Sequence, residues 1–367
     1  MAHACYPRVP VETWILTTVQ STNLARLVCV LLGGVLSAAR SPDLRLSNVL
    51  DRVERGDTPA LRDWLGQSPD SSTTSYRIQR ESKAWISAAG PASIERRRLI
   101  VATVALEAAY AKPKPSPPQH DEDAPKVPDP RVLIEWACTL VRQNVVPYPA
   151  ERYWHWLVIA IMEGKADHVP LEVHVRHALE RFPAEPRFVL ARAVAAELRT
   201  WPEERGGRSP ADRTNATDTL IARLQAATEL ESVRAEATLR LGHLFLRLGR
   251  VAAARERFQL VIPLTSDPYL LYLVNLFDGR AFEQLDRPME AIAAYRAAAA
   301  AVPHAQSADF ALAAALARYG DRAEAVRVGF ASITSEPSGV DPWRGYGQAD
   351  VRFTREIVDG LRRELWK

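Results

Sequence analysis

The sequence predicts an all-α fold, a solenoid of antiparallel helical hairpins. Three observations predict it. One spacing of small and aromatic residues occurs twice within Leu241–Pro303. Apolar residues elsewhere, as in Ala92–Ala111, recur at the period of a helix with one buried stripe. Prolines and glycines fall between these stripes, where helices must stop.

The repeated spacing is clearest in its second copy. Gly279, Phe282, Ala291, Tyr295, Ala298 and Pro303 are separated by 3, 9, 4, 3 and 5 positions. Gly242, Phe245, Ala254, Phe258 and Val261 give 3, 9, 4 and 3. This reads as helix, tight turn, helix. The glycine lets the helices approach, the aromatic of the first helix fills the interior, and the alanine sits at the crossing. A third copy has Ala325 in the place of Ala291, 34 residues on, with Gly320 at its turn and Pro337 at its end. In it, Gly329 replaces the aromatic. The pattern resembles the tetratricopeptide (TPR) repeat of 34 residues, and the resemblance implies a TPR-like superhelix across 235–337.

Composition bounds the function. The chain has 367 residues, enough for two domains or one elongated array. A net charge of +3 is too balanced to argue for a nucleic-acid surface, which needs a clustered basic face. Few methionines with abundant alanine and arginine fit a high-GC bacterial coding bias. Of the three cysteines, Cys5 and Cys29 lie in the segment expected to be removed. Cys138 then has no partner, no disulfide framework is implied, and the residue is expected to be buried on a helix.

The chain in order begins with 1–39, read as a signal peptide with a long N-region. Leu27–Ala39, LVCVLLGGVLSAA after Arg26, is a short apolar run ending in small residues. It is short for a membrane span, which takes about 20 residues, so no stable span is expected after its removal. The expected location is periplasmic or secreted, or cytoplasmic if the run is instead a buried helix. An N-terminal helical region, 40–111, follows. Ser41–Gly66 carries two stripes broken at Gly56-Asp57-Thr58-Pro59, with Thr58 capping and Pro59 in the first turn. Gln67–Tyr76, rich in Ser, Thr and Asp, reads as a loop before the helix Ala92–Ala111. Lys112–Pro130 holds seven prolines and seven charges in 19 residues, so it reads as a flexible linker in preference to a proline-rich recognition segment. Degenerate hairpins are expected across 131–234: Arg131–Gln143, the pair Glu151–Glu163 and Leu171–Phe182, then Phe188–Arg199 and about 218–230, with Trp201–Thr217 a loop. The segment 338–367 ends in an amphipathic helix expected to cap the open end of the array. Just before it, Asp341-Pro342-Trp343-Arg344-Gly345-Tyr346-Gly347 places two aromatics close to glycines, as a ligand-binding loop would, but the preferred expectation is that Trp343 and Tyr346 dock this helix onto the final repeat.

Candidate chemistry is sparse. His168, His174 and His177, near Asp167 and Glu172, form the one cluster with metal-ligand character, and they motivate an alternative reading as a metal-dependent enzyme. His174 and His177 are one turn apart, but there is no HExxH motif, and solvated histidines on a helix are the preferred reading of the pattern. There is no phosphate-binding glycine loop and no G-x-S-x-G elbow. No cofactor is expected.

The resemblance implies a non-enzymatic scaffold that binds a protein or peptide on its concave face, with no nucleic-acid partner. In such repeats the first helix of each hairpin lines the groove. That assigns Leu239, His243, Leu246, Leu273, Leu276, Arg280, Glu283, Phe310 and Arg318 to it. The Lys and Asn pattern that grips a terminal carboxylate in some of these proteins is absent from these positions.

Overall fold

A computed structural model describes residues 45–67, 71–110, 130–165, 168–200, 210–335 and 340–367. The expected signal peptide (1–39) and the expected linker up to residue 129 lie outside the described residues. Among the described residues the structure is all-α, without strands, and no helix is long and apolar enough to cross a membrane. The chain divides into two compact units, one made of 1–148 with 358–367, the other of 149–357.

In the first unit the helices are α1 (Leu46–Glu54), α2 (Pro59–Gln67), α3 (Ser71–Ser87), α4 (Pro91–Tyr110) and α5 (Pro130–Arg142). The break at Gly56 is real: its φ of +92° is the left-handed turn that suits glycine. The expected loop at 67–76 is instead largely the first turns of α3. Arg97 ties the unit together. It forks onto Glu54 with two 3.0 Å bonds and lies over the Trp85 ring at 4.2 Å. The last helix ends here. Arg96 donates to the Leu365 carbonyl at 3.0 Å, and the Trp366 indole donates to the Val53 carbonyl. Residues 358–367, expected as part of a capping helix, belong to the N-terminal unit. Their apolar stripe, with Val358, Leu361 and Leu365 fully buried, is satisfied there.

The second unit runs through α6 (Glu151–Gly164), α7 (His168–Arg181), α8 (Pro186–Thr200), α9 (Pro210–Thr228), α10 (Arg234–Arg247), α11 (Val251–Val261), α12 (Pro268–Gln284), α13 (Pro288–Ala301), α14 (Gln306–Tyr319) and α15 (Arg322–Thr334). Residues 210–217, expected as loop, are the start of α9. Consecutive helices pack on one another, and α10 also touches α12. The repeated spacing explains the closest contacts. A Cβ on Gly279 would lie 2.4 Å from the Tyr295 ring, and one on Gly242 would lie 2.6 Å from the Phe258 ring. Each glycine thus lies directly under the aromatic of the following helix. In the third pair the sizes differ: Gly329 stands opposite Ala313, whose Cβ is an ordinary 3.8 Å from the position of a Cβ on Gly329. The turns α10–α11 and α12–α13 share a left-handed residue, Gly249 (φ +72°) and Asp286 (φ +55°). In both, the next residue's amide returns to the aromatic's carbonyl: Arg250 to Phe245 and Arg287 to Phe282.

After α15 the chain forms the short helix α16 (Pro342–Gly345), a 3-10 turn (Ala349–Phe353) and α17 (Thr354–Leu365). Asp341–Phe353, called the strap below, packs onto α6 and α12.

Candidate functional site

The strap lies on the first helices of successive pairs, α8, α10, α12 and α14, and also reaches α6. Its contacts are the most elaborate polar arrangement in the second unit. Asp341 starts it. One carboxylate oxygen accepts from the Ser307 amide at the start of α14 (2.7 Å). The other accepts from the Trp343 amide (2.9 Å) and from the Tyr272 hydroxyl (3.2 Å). The aromatics come next. Trp343 and Tyr346 stack at 5.7 Å and meet the His243–Phe277 pair, itself stacked at 4.1 Å, edge-on. Arg280 lies over the Trp343 ring at 4.9 Å. The two aromatics thus dock on α10 and α12. The expected docking of the terminal helix onto the final repeat is not what they do.

Beneath Tyr346 sits Arg240, only 1% exposed. It donates to Glu197 (2.8 Å), to Glu236 (3.1 and 3.2 Å) and to the Tyr346 carbonyl (2.9 Å). Burial opposes its charge, and the Glu197, Tyr346 and Glu236 groups more than restore it, holding the guanidinium well above its usual value. The Tyr346 hydroxyl donates its single proton to Glu197 at 2.8 Å. It must therefore accept from Nδ1 of His243, 3.1 Å away, which fixes that tautomer. Burial, then the positive charges of Arg247, Arg280 and Arg240, keep His243 neutral well below its ordinary range.

The strap's second half carries the rest of the network. Arg352 bridges Asp267 (2.7 Å) and Glu236. Burial would raise Glu236, but Arg352, Arg240 and Arg187 overcome it and bring the carboxyl down to about 2. Arg187 lies over Phe353 at 3.9 Å and reaches Asp350 at 3.8 Å. The Asp350 amide donates to Glu163 at 2.9 Å.

The predicted groove residues divide. Leu239, Leu246, Leu273 and Leu276 are core, fully buried or nearly so. They belong to the apolar cluster formed where α10, α11, α12 and α13 pack, so they are not open to a partner, contrary to the expectation for a free groove. His243 and Arg280 lie under the strap. Glu283 accepts from Tyr295 (2.8 Å) and pairs with Arg318 (3.3 Å). Phe310, 44% exposed, and Arg318 remain open on α14. Sequence reasoning singled out Asp341–Gly347 but not where it docks, and it missed Glu163, Glu197, Glu236 and Arg240. A signal existed: each of these charges interrupts the apolar face of its helix.

Among the described residues the histidine cluster does not assemble. His174 is buried, with Nε2 3.1 Å from Nδ1 of His155, while His177 pairs with Glu180 at 3.1 Å. The His168 side chain is outside what is described. Among the described residues no group of three or more His, Cys, Asp or Glu is placed to hold a metal ion. Cys138 is buried, and burial pushes its thiol up to about 12, so it is not a poised nucleophile.

The site is thus an intramolecular one, in which α6, α8, α10, α12 and α14 hold the chain's own segment Asp341–Phe353 by hydrogen bonds, ion pairs and aromatic stacking. No model of a known protein family matches the chain, and no curated protein matches it.

Proposed function

We propose that this chain is a protein-binding scaffold of TPR-like hairpins that works in a bacterial cell envelope, without chemistry of its own. One observation carries the reading. The first-helix face holds a linear segment, Asp341–Phe353, through a capped aspartate, a stacked aromatic pair and buried arginines. A face that reads its own chain in this way has the chemistry to read another. Two further features support it. The α14 part of that face, with Phe310 and Arg318, is left open. The second helix of the last pair, α15, presents Val326, Phe330 and Ile333 at helical spacing, each about 70% exposed. The Leu27–Ala39 run supports export.

Photo-crosslinking in the native host tests this. A photoreactive residue at Phe310 or Phe330 should give discrete adducts with one protein from the envelope fraction. The same residue at exposed Gln259, on the second helix α11, should not. Equal labelling at all three positions, or an intact Met1 in a cytoplasmic pool, would overturn it.

A further inference from the structure

The lower end of the strap contains more buried acid than base. Around Asp350 stand Glu163 from α6, Arg187 and Glu197 from α8, Glu236, Arg240 and His243 from α10, Asp267 and Tyr269 from the start of α12, and Arg352 and Tyr346 from the strap. From α7, His174 is engaged with His155, two turns before Glu163 on α6. His243 is neutral, as derived above. Four buried carboxylates, Glu163, Glu197, Glu236 and Asp350, therefore face three guanidiniums. Asp267 at the rim takes part of Arg352 as well.

The geometry identifies which acid is in surplus. Arg240 engages Glu197 and Glu236, Arg352 engages Glu236, and Arg187 reaches both Glu236 and Asp350. Glu163 has no cation within ion-pair distance among the described residues. It is 1% exposed. Its Oε2 accepts the Asp350 amide, and no described protein group bonds to its Oε1. An ionised Glu163 here would be an unpaired buried charge facing a second carboxylate, which is strongly unfavourable. Burial and the Asp350 charge both push its carboxyl well above the ordinary range, and burial raises Asp350 to about 6. The least disruptive relief, once Glu163 ionises, is to admit water by lifting the turn that covers it. That turn, Ala349–Phe353, is part of the strap and packs on α6.

We infer that Glu163 is the proton-bearing catch of a latch: protonated, it seats the strap on the first-helix face, and ionised, it releases the strap at Asp350. The latch makes access to the face depend on pH, whatever partner uses it. Opening would release one proton, so the opening constant should rise about tenfold per pH unit while the seated Glu163 stays protonated.

Hydrogen exchange of the full-length protein, resolved by peptide, tests this between pH 6.5 and 8.5. Asp350, raised to about 6 in the seated state, is mostly ionised above pH 7, so the slope is read from pH 7 to 8.5. After division by the intrinsic exchange rate, protection of the 349–353 amides should fall with rising pH, by about tenfold per unit for as long as the seated Glu163 stays protonated and less steeply once it ionises, while that of α12 stays constant. In Glu163→Gln, neutral at every pH and still able to accept the Asp350 amide, strap protection should be flat. Constant wild-type protection, a parallel loss in α12, or an equal fall in Glu163→Gln would each overturn the latch. The wild-type profile decides even if the variant fails to fold.

Discussion

Gly279→Ala probes the contact on which the repeated spacing depends. In the middle of α12 the substitution has a built-in gain of about 0.8–1 kcal/mol from helix propensity. Against it stands the Tyr295 ring, with three atoms 2.4, 2.5 and 2.9 Å from the new Cβ. The ring cannot swing freely, because its hydroxyl is tied to Glu283 at 2.8 Å. Overpacking of a filled interior costs about 1–3 kcal/mol, and the tether places this site in the upper half. The net expectation is a loss of about 1–2 kcal/mol. Gly242→Ala meets Phe258, whose ring has no such tether, at 2.6 and 2.8 Å, and should lose somewhat less. Gly329→Ala is the control. Its Cβ would make an ordinary 3.8 Å contact, so propensity should win, with a gain of about 0.5–1 kcal/mol. Urea unfolding followed by circular dichroism reads all three, and the double variant with Tyr295→Leu should recover much of the Gly279→Ala loss. If Gly279→Ala stabilises the protein as Gly329→Ala does, the helices do not cross at Gly279 and the repeat has been misread.

Three further outcomes follow from the geometry. Leu276→Arg puts a charge at a fully buried site and should cost at least ~3 kcal/mol in the same assay, whereas a groove-facing leucine would lose about 0.5 kcal/mol or less. Asp286→Gly should raise stability by about 0.5–1 kcal/mol, because φ is +55° there and Gly249 already occupies the equivalent turn; an unchanged or lower stability would contradict the turn geometry. Glu236, lowered from 4.5 to about 2, contributes stability that is complete above pH 4.5 and fades as pH falls toward 2, on the order of 3 kcal/mol; Glu236→Gln should flatten that acid limb, and an unaltered limb would remove Glu236 as its source.

The repeats were legible because their requirements are local. A glycine facing an aromatic one helix later is a steric necessity, and it leaves a fixed spacing in the sequence. The helix start at Pro59 was legible for the same reason, since proline suits a first turn. The starts of α3 and α9 were not, because Ser, Thr, Asp and Asn there compose like a loop even when neighbouring packing makes them helical. The strap was hidden by distance. Tyr346 meets Arg240 across 106 residues and Glu197 across 149, and Asp350 meets Glu163 across 187. No periodicity connects such positions. The strongest hint was a charge where each helix needed an apolar residue. The terminal helix misled in the opposite way: an amphipathic stripe says that one face is buried, not against what.

The central claim is that the strap covers the first-helix face in solution, and His243 reports on it most directly. Its ring stacks on Phe277, donates to the Tyr346 hydroxyl and is nearly inaccessible to water. Proton NMR of histidine-labelled protein, assigned with a His243→Gln variant, follows its charge state. The seated strap predicts a His243 resonance that stays in the neutral form as pH falls well below 6.5, and that moves back toward ordinary titration when Tyr346→Ala removes the covering ring. A wild-type His243 that titrates near 6.5 would show the face open to water and would contradict the account.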